Sequence, residues 1–125
     1  MTSYRFGDIL ILEFPHSEGH KVSKRPVLVL ADIDEEDIIV AKVTGSAERT
    51  LFDIPINDWE SAGLLLPSVI RLDKLATLSK SRIIRKLGTL NTSYHPKIKA
   101  LLKKLFALNW IGYIPRRKNK TFHFS

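Results

Sequence analysis

The feature that most constrains the fold is a series of short apolar segments separated by polar turns. Residues 9–87 contain six such segments, rich in Val, Ile and Leu and bounded by Gly, Pro, Asn, Asp or Ser. Short segments of this kind are typical of strands in an antiparallel sheet. The predicted strands are Ile9–Phe14, Val27–Leu30, Ile38–Val43, Leu51–Ile56, Ser68–Leu78 and Arg82–Leu87. The sequence therefore predicts a mainly β fold, a small and mainly antiparallel barrel with helices appended.

The segment after Gly88 changes to helical spacing. Thr92 or Ser93 can cap a helix that tolerates Pro96 in its first turn. The apolar residues that recur at helical spacing are Ile98, Leu101, Leu102, Leu105 and Leu108. The pattern ends there, so we predict one folded domain over residues 1–108 and a basic tail over residues 109–125.

The charge of the chain is unevenly distributed. Residues 1–70 hold 6 Lys/Arg against 12 Asp/Glu, whereas residues 71–125 hold 14 Lys/Arg and one acid, Asp73. Such asymmetry favours a polyanionic partner or an acidic protein partner, although a basic half also serves solubility.

Several classes of protein are not expected. The chain has no cysteine, no signal-peptide pattern and no apolar run long enough to cross a bilayer, which favours a cytoplasmic protein without membrane contact. His16 and His20 lie four residues apart in a predicted loop, with no third ligand nearby. We therefore expect no metal site, and no motif for a cofactor is present.

The stretch Lys24–Leu30 places an arginine beside a buried strand. Pro26 fits the first position of that strand, where no N–H is needed, and it holds Arg25 extended. The predicted result is a guanidinium at the mouth of the strand, facing the polar loop Pro15–Lys24. The alternative is an arginine in a structural ion pair.

Further polar residues are predicted at strand edges. Thr44 ends the third strand, and Arg71 and Asp73 share one face of the fifth by alternation. Such groups suffice to cleave RNA without a metal, because the RNA 2′-hydroxyl is itself the nucleophile. Each also has a structural alternative, since Thr44 can simply end a strand and Asp73 can pair with Arg71 or Lys74.

Over residues 5–108 the sequence resembles the MazF/PemK family of bacterial toxins. The matching stretches, in order, are GDILILEFP, SKRPVLVL, VAKVTG, DIPI, AGLLLPSVIRLDKLATLSKSRI and KLGTL. The resemblance implies a small SH3-like antiparallel β-barrel with a C-terminal helix. It also implies a homodimer that cleaves single-stranded RNA and is inhibited by a cognate antitoxin, which we expect to be acidic.

The resemblance also implies site residues. Arg25 and Thr44 match the pair that binds the scissile phosphate, and Arg71 and Asp73 match the arginine and aspartate used by the PemK/Kid branch. His20 matches that branch's loop histidine, with His16 as a substitute. We also expect RNA contacts from the neighbouring residues Lys24 and Ser46.

The expected reaction leaves a 2′,3′-cyclic phosphate and a 5′-hydroxyl. Asp73 or Arg25 would act as base, and an arginine would act as acid or charge stabiliser. Two alternatives remain open at this point: a non-catalytic gyrase poison of the CcdB type, and a nucleic-acid-binding module on the same barrel.

Overall fold

The computed structural model describes residues 2–15 and 22–112, which form six strands, two short 3₁₀ turns and one helix. The 3₁₀ turns cover Lys80–Arg82 and Thr92–Tyr94. The longer elements are β1 (Asp8–Pro15), β2 (Val22–Asp32), β3 (Asp37–Thr44), β4 (Asp53–Ile56), β5 (Ser68–Ser79), β6 (Ile83–Thr89) and α1 (His95–Gly112).

The strands form one sheet in the order β4-β5-β3-β2-β1-β6, and every neighbouring pair is antiparallel. The predicted mainly antiparallel architecture with a C-terminal helix is thus confirmed. One apolar cluster on this sheet consists of Leu10, Leu12, Val27, Val29, Ile38 and Val40, each at most 1% exposed. No helix among the described residues is long and apolar enough to cross a membrane.

Strand β2 is longer than predicted at its N-terminal end. Val22 already pairs with Pro15, so Lys24 and Arg25 lie within the strand rather than in a loop before it. The predicted position of Pro26 at the start of the strand was therefore wrong. Pro26 lies opposite Ile11 of β1, and β3 pairs with β2 only from Val27 onward. Proline is tolerated there because β2 is flanked on one side only.

Strand β5 is interrupted in the middle. Lys42 of β3 lies opposite Arg71, but its neighbour Ala41 lies opposite Leu75, so residues 72–74 have no counterpart on β3. Residues 68–72 are all buried. The predicted alternation, by which Arg71 and Asp73 share one face of this strand, was therefore wrong in assuming a regular strand, because β5 is irregular between Arg71 and Leu75.

The segment between β4 and β5 forms hydrogen-bonded turns rather than a helix. Leu64 N–H donates to the Trp59 carbonyl at 3.0 Å, and Gly63 adopts a φ of +88°. A Cβ on Gly63 would collide with the Leu87 carbonyl of β6, so only glycine fits this close approach. The turn thereby carries residues 64–66 to the edge of β6.

The C-terminal part begins with a cap one residue earlier than predicted. The Asn91 side chain accepts a hydrogen bond from Ser93 N–H at 2.8 Å and caps the 3₁₀ turn that precedes α1. Helix α1 continues to Gly112, four residues past the predicted domain boundary. The chain divides into two compact units, Met1–His95 and Pro96–Ser125. Most of the predicted basic tail, residues 113–125, lies outside the described residues.

Candidate functional site

Arg25 and Thr44 line the same surface cavity, of about 410 Å³, which we call the central cavity. Arg25 comes from β2 and Thr44 ends β3. The last paired residues of these two strands are Val27 and Lys42. If the same register is continued by two residues, Arg25 lies opposite Thr44. The other walls are provided by β1, β6 and the turn after β4, through Ile11, Arg85, Leu87 and residues 63–66.

The central cavity is cationic. Among the described residues, its charged lining groups are Lys24, Arg25 and Arg85, all exposed, and none is an acid. The Arg25 side chain makes no hydrogen bond or ion pair with any described residue. The Thr44 hydroxyl is half-buried and lies 3.3 Å from both the Ser46 hydroxyl and the Ser46 N–H. An exposed guanidinium and a positioned hydroxyl at one cavity are suited to binding a phosphate.

A second cavity, of about 460 Å³, adjoins the first, and we call it the Lys42 cavity. It shares Ser23, Arg25 and Pro26 with the central cavity, so Arg25 stands between the two. Its remaining lining residues are Phe14, Val27, Val40, Lys42, Lys74, Leu75 and Ala76.

A third cavity, of about 420 Å³, adjoins the central cavity on the other side. It shares Gly45 and Ser68 with the central cavity and also contains Ser46 and Trp59. The predicted RNA contacts Lys24 and Ser46 thus lie on neighbouring cavities. The three cavities form a continuous track that passes Arg25 and Thr44, an arrangement that suits an extended chain more than a compact ligand.

Arg71 is placed differently from Arg25. It is only 5% exposed, and its guanidinium donates to Asp53 Oδ2 at 2.9 Å and to the Ala47 carbonyl at 3.1 Å. It is not among the lining residues of the central cavity.

Asp73 also binds the segment that precedes β4. Both of its carboxylate oxygens lie 3.1 Å from the guanidinium of Arg49. Asp53 completes this arrangement, because its Oδ2 also accepts from the backbone N–H groups of Arg49 at 2.6 Å and Thr50 at 3.3 Å. The structure therefore ties Arg71 and Asp73 to the segment 47–53, whose neighbour Ser46 contacts Thr44.

Sequence reasoning missed three basic residues of the track: Lys42, Lys74 and Arg85. An exposed lysine between buried residues of a predicted strand could have singled out Lys42, since its neighbours Ala41 and Val43 are buried. No local signal marks Arg85, because its position depends on the pairing of β6 with β1. His16 and His20 lie outside the described residues.

Solved structures show the same fold at low sequence identity. The Mycobacterium tuberculosis toxin MazF-mt6 is 24% identical, with a TM-score of 0.64 over 81% of this chain and 99% of that chain. An endoribonuclease in complex with its cognate antitoxin, from a mycobacterial species, is 16% identical, with a TM-score of 0.67 over 86% and 99%. A chain of a Deinococcus radiodurans MazE–MazF complex is 20% identical, with a TM-score of 0.67 over 81% and 94%.

The sequence comparisons give one assignment. No curated protein sequence matches the chain at a significant level. The model of the PemK-like, MazF-like toxins of type II toxin–antitoxin systems matches residues 5–106, which is most of the chain. Together with the six-stranded sheet and its C-terminal helix, this match shows that the chain belongs to the PemK-like, MazF-like toxin family of type II toxin–antitoxin systems.

Proposed function

We propose that this chain is a toxin that cleaves single-stranded RNA at the central cavity. The observation that carries the proposal is that Arg25, without an ion-pair partner among the described residues, lines the same cationic cavity as Thr44. The family match supports the proposal, and some proteins with the same fold are endoribonucleases.

The proposed reaction uses the nucleophile already present in RNA. The 2′-oxygen attacks the adjacent phosphorus while the bond from phosphorus to the 5′-oxygen breaks. The 2′-hydroxyl loses a proton and the 5′-oxygen gains one, which leaves a 2′,3′-cyclic phosphate and a 5′-hydroxyl. Negative charge accumulates on the non-bridging oxygens in the transition state, and donors placed around that position lower the barrier.

Arg25 and Thr44 are the proposed substrate contacts. The guanidinium can donate two parallel hydrogen bonds to the phosphate, and the Thr44 hydroxyl can donate one. Arg85 adds a further cation to the same lining. Lys24 lies beside Arg25 and supplies charge for the RNA backbone.

Arg71 and Asp73 are proposed as positioning residues rather than direct contacts. The Arg71 guanidinium is buried and neutralised by Asp53, and the Asp73 carboxylate is paired with Arg49. Through these pairs they hold the segment 47–53, which follows the Ser46 contact with Thr44. A change at either residue would therefore act on cleavage through the position of this segment.

Two protein partners belong to the proposal. An acidic antitoxin segment would compete with RNA for the cationic central cavity and Lys42 cavity, in line with the antitoxin complexes among the neighbouring structures. A second copy of the chain would cover apolar side chains at the rim of the central cavity, where Leu65 is 93% exposed and Leu66 is 50% exposed. A homodimer by light scattering at micromolar concentration is the expected result.

The proposed chemistry is tested with RNA that carries a single 2′-deoxy nucleotide. The cleavage position is first mapped on ordinary RNA in the presence of EDTA, and the ends of the fragments are identified by mass. We expect cyclic phosphate and 5′-hydroxyl ends, and no cleavage when the nucleotide before the scissile phosphate lacks its 2′-hydroxyl. Cleavage of the 2′-deoxy substrate, or cleavage only after addition of a divalent metal, would contradict the mechanism. Growth inhibition without any cleavage would favour a non-catalytic toxin.

A further inference from the structure

We propose that the Lys42 cavity is a second RNA subsite, which binds a phosphate-bearing segment next to the scissile phosphate and takes an adjoining base on its apolar wall. This inference rests on the proposed function only in taking RNA as the ligand. The cavity shares Ser23, Arg25 and Pro26 with the central cavity, so a chain whose phosphate lies at Arg25 can continue directly into it.

The position of Lys42 follows from the alternation of β3. Val40, Lys42 and Thr44 occupy one face of the strand. Val40 is 1% exposed and belongs to the apolar cluster, whereas Lys42 is exposed and Thr44 lines the central cavity. On this face of β3, Lys42 thus lies between the apolar core at Val40 and the proposed phosphate site at Thr44.

Lys74 lies in the interrupted part of β5. Residues 72–74 have no counterpart on β3, and Lys74 is exposed while Leu72 is fully buried. Lys74 lines the same cavity as Lys42. The pairing of β3 with β5 keeps the two lysines near each other, because continuing the register of Ala41 opposite Leu75 by one residue would set Lys42 across from Lys74.

The charged residues that line the Lys42 cavity favour an anionic ligand. Its charged lining residues, among those described, are Arg25, Lys42 and Lys74, and no acid accompanies them. Neither lysine forms an ion pair with a described residue, whereas Lys80 and Lys86 pair with Asp32 and Asp8 respectively. Cations collected around one concave surface raise the local concentration of a polyanion.

The apolar wall of the Lys42 cavity indicates that this anionic ligand is a nucleic acid. Phe14, Pro26, Leu75 and Ala76 lie on the lining together with the three cations. Sites for single-stranded nucleic acid combine a positively charged groove with aromatic side chains on which bases stack. A phosphate alone would gain nothing from these side chains, whereas a nucleotide gains contacts for both its phosphate and its base.

The test compares two double variants with equal loss of charge. Lys42→Gln/Lys74→Gln removes both lysines of the cavity, and Lys97→Gln/Lys104→Gln removes two exposed lysines of α1 that line neither cavity. The probe is a fluorescein-labelled 12-nucleotide RNA of mixed sequence with 2′-O-methyl groups throughout. It is bound to the full-length protein at several salt concentrations, and thermal melting checks that each variant is folded.

We expect the cavity variant to bind the probe more weakly and with a smaller salt dependence. Each lost phosphate contact should reduce the slope of log K against log salt by about 0.7, so the pair should reduce it by about 1.4. The α1 control should keep the wild-type slope. In cleavage assays the cavity variant should raise KM with little change in kcat.

Three outcomes would overturn the subsite. The first is an unchanged slope in the cavity variant, and the second is an equal reduction in the α1 control. The third is unchanged RNA binding with weaker binding of a polyglutamate peptide, which would assign the cavity to a protein partner. The probe cannot be cleaved, so the binding measurement does not depend on nuclease activity. If the cavity variant shows the expected smaller salt dependence but the wild-type protein cuts no RNA, the subsite stands and only the proposed nuclease activity is refuted.

Discussion

Arg25 and Arg71 are the same residue type in two opposite environments. Arg25 is exposed at the junction of two cavities and has no ion-pair partner among the described residues. Arg71 is buried, and its charge is neutralised by Asp53. A guanidinium that is already paired and buried has little capacity left for a phosphate, whereas an exposed one can still make its bidentate contact. This contrast underlies the different roles proposed for the two arginines.

Asp32 shows how a single carboxylate links distant parts of the first unit. Its side chain is 3% exposed and pairs with Lys80 at 2.9 Å. It also accepts hydrogen bonds from the backbone N–H groups of Tyr4 at 2.7 Å and Asp34 at 2.8 Å. The hydrogen bond from Lys80 is the largest cause that lowers the pKa of Asp32 to about 2, followed by the Tyr4 N–H.

Asp32 is therefore predicted to contribute stability that depends on pH. Because its pKa is lower in the folded state than the ordinary 3.8, the contribution is fully present above about pH 4 and is lost as the pH falls toward 2. Asp32→Asn should lower the free energy of unfolding at neutral pH, and its difference from wild type should shrink between pH 4 and pH 2. Denaturant unfolding across this range checks the prediction, with the exposed Glu35→Gln as a control. A difference that does not change with pH would contradict it.

The residues of the site were predictable from sequence to different degrees. The Arg-Pro step singled out Arg25 by its local pattern, whereas a role for Thr44 was implied only by the family resemblance, since a Thr-Gly step can simply end a strand; both residues line the central cavity. Arg85 and Lys74 could not be identified from the sequence, because each depends on the pairing of strands far apart in sequence, β6 with β1 and β5 with β3. Proximity in the sequence suggested a joint role for Arg71 and Asp73, but their ion-pair partners, Asp53 and Arg49, are set by tertiary contacts.

Among the elements, β5 is tied to the segment before β4, which lies next to Thr44. The irregular part of β5 carries Arg71 and Asp73, and both hold the segment 47–53 through ion pairs. A backbone hydrogen bond from Leu72 N–H to the Phe52 carbonyl, at 3.1 Å, adds to this connection. The segment is thus fixed to a buried strand on one side of Thr44, which reduces the reorganisation needed when a substrate binds.

Loss of Arg71 is predicted to destabilise the protein as well as slow cleavage. Arg71→Met leaves the buried Asp53 carboxylate without its cation, and breaking a buried pair in this way costs about 3–5 kcal/mol. Arg49→Ala, which breaks the partly exposed pair with Asp73, should cost only about 0.2–1 kcal/mol. Denaturant unfolding measures both. An Arg71→Met protein with wild-type stability and abolished cleavage would instead indicate direct contact with the substrate.

The elements themselves were predicted better than their ends. All six strands were recognised from their apolar residues, most of which are buried in β1 to β5, whereas β6 has no buried residue. The ends depended on pairing: β2 extends back to Val22 because it continues to pair with β1 beyond its apolar core. The helix was recognised from the spacing of its apolar residues. Its predicted cap at Thr92 or Ser93 was wrong, because Asn91 caps a 3₁₀ turn that precedes the helix.

At the scale of the whole molecule, the uneven charge defines the expected partners. The chain carries a net charge of +7, with 14 of its 20 basic residues after position 70. Yet three of the cations on the track, Lys24, Arg25 and Lys42, come from the acidic half. Overall charge therefore promotes encounter with a polyanion, while the local arrangement of cations determines where it binds.

Competition between an antitoxin and RNA is predicted from this arrangement. An acidic antitoxin segment bound along the track should prevent binding of an uncleavable RNA, and its association rate should fall as salt concentration rises. Stopped-flow association at several salt concentrations, together with a competition titration, measures both effects. Simultaneous binding of antitoxin and RNA with undiminished affinities would show that the antitoxin does not occlude the track.

The measurement that tests the central claim most directly is RNA cleavage by Arg25→Ala, compared with wild type and Arg5→Ala. Arg5 is an exposed arginine that lines neither the central cavity nor the Lys42 cavity, so it controls for the loss of one positive charge. We predict that Arg25→Ala reduces kcat by about 10²–10³ while the protein stays folded, and that Arg5→Ala cleaves as wild type does. A folded Arg25→Ala protein that cleaves RNA at the wild-type rate would contradict the assignment of the site.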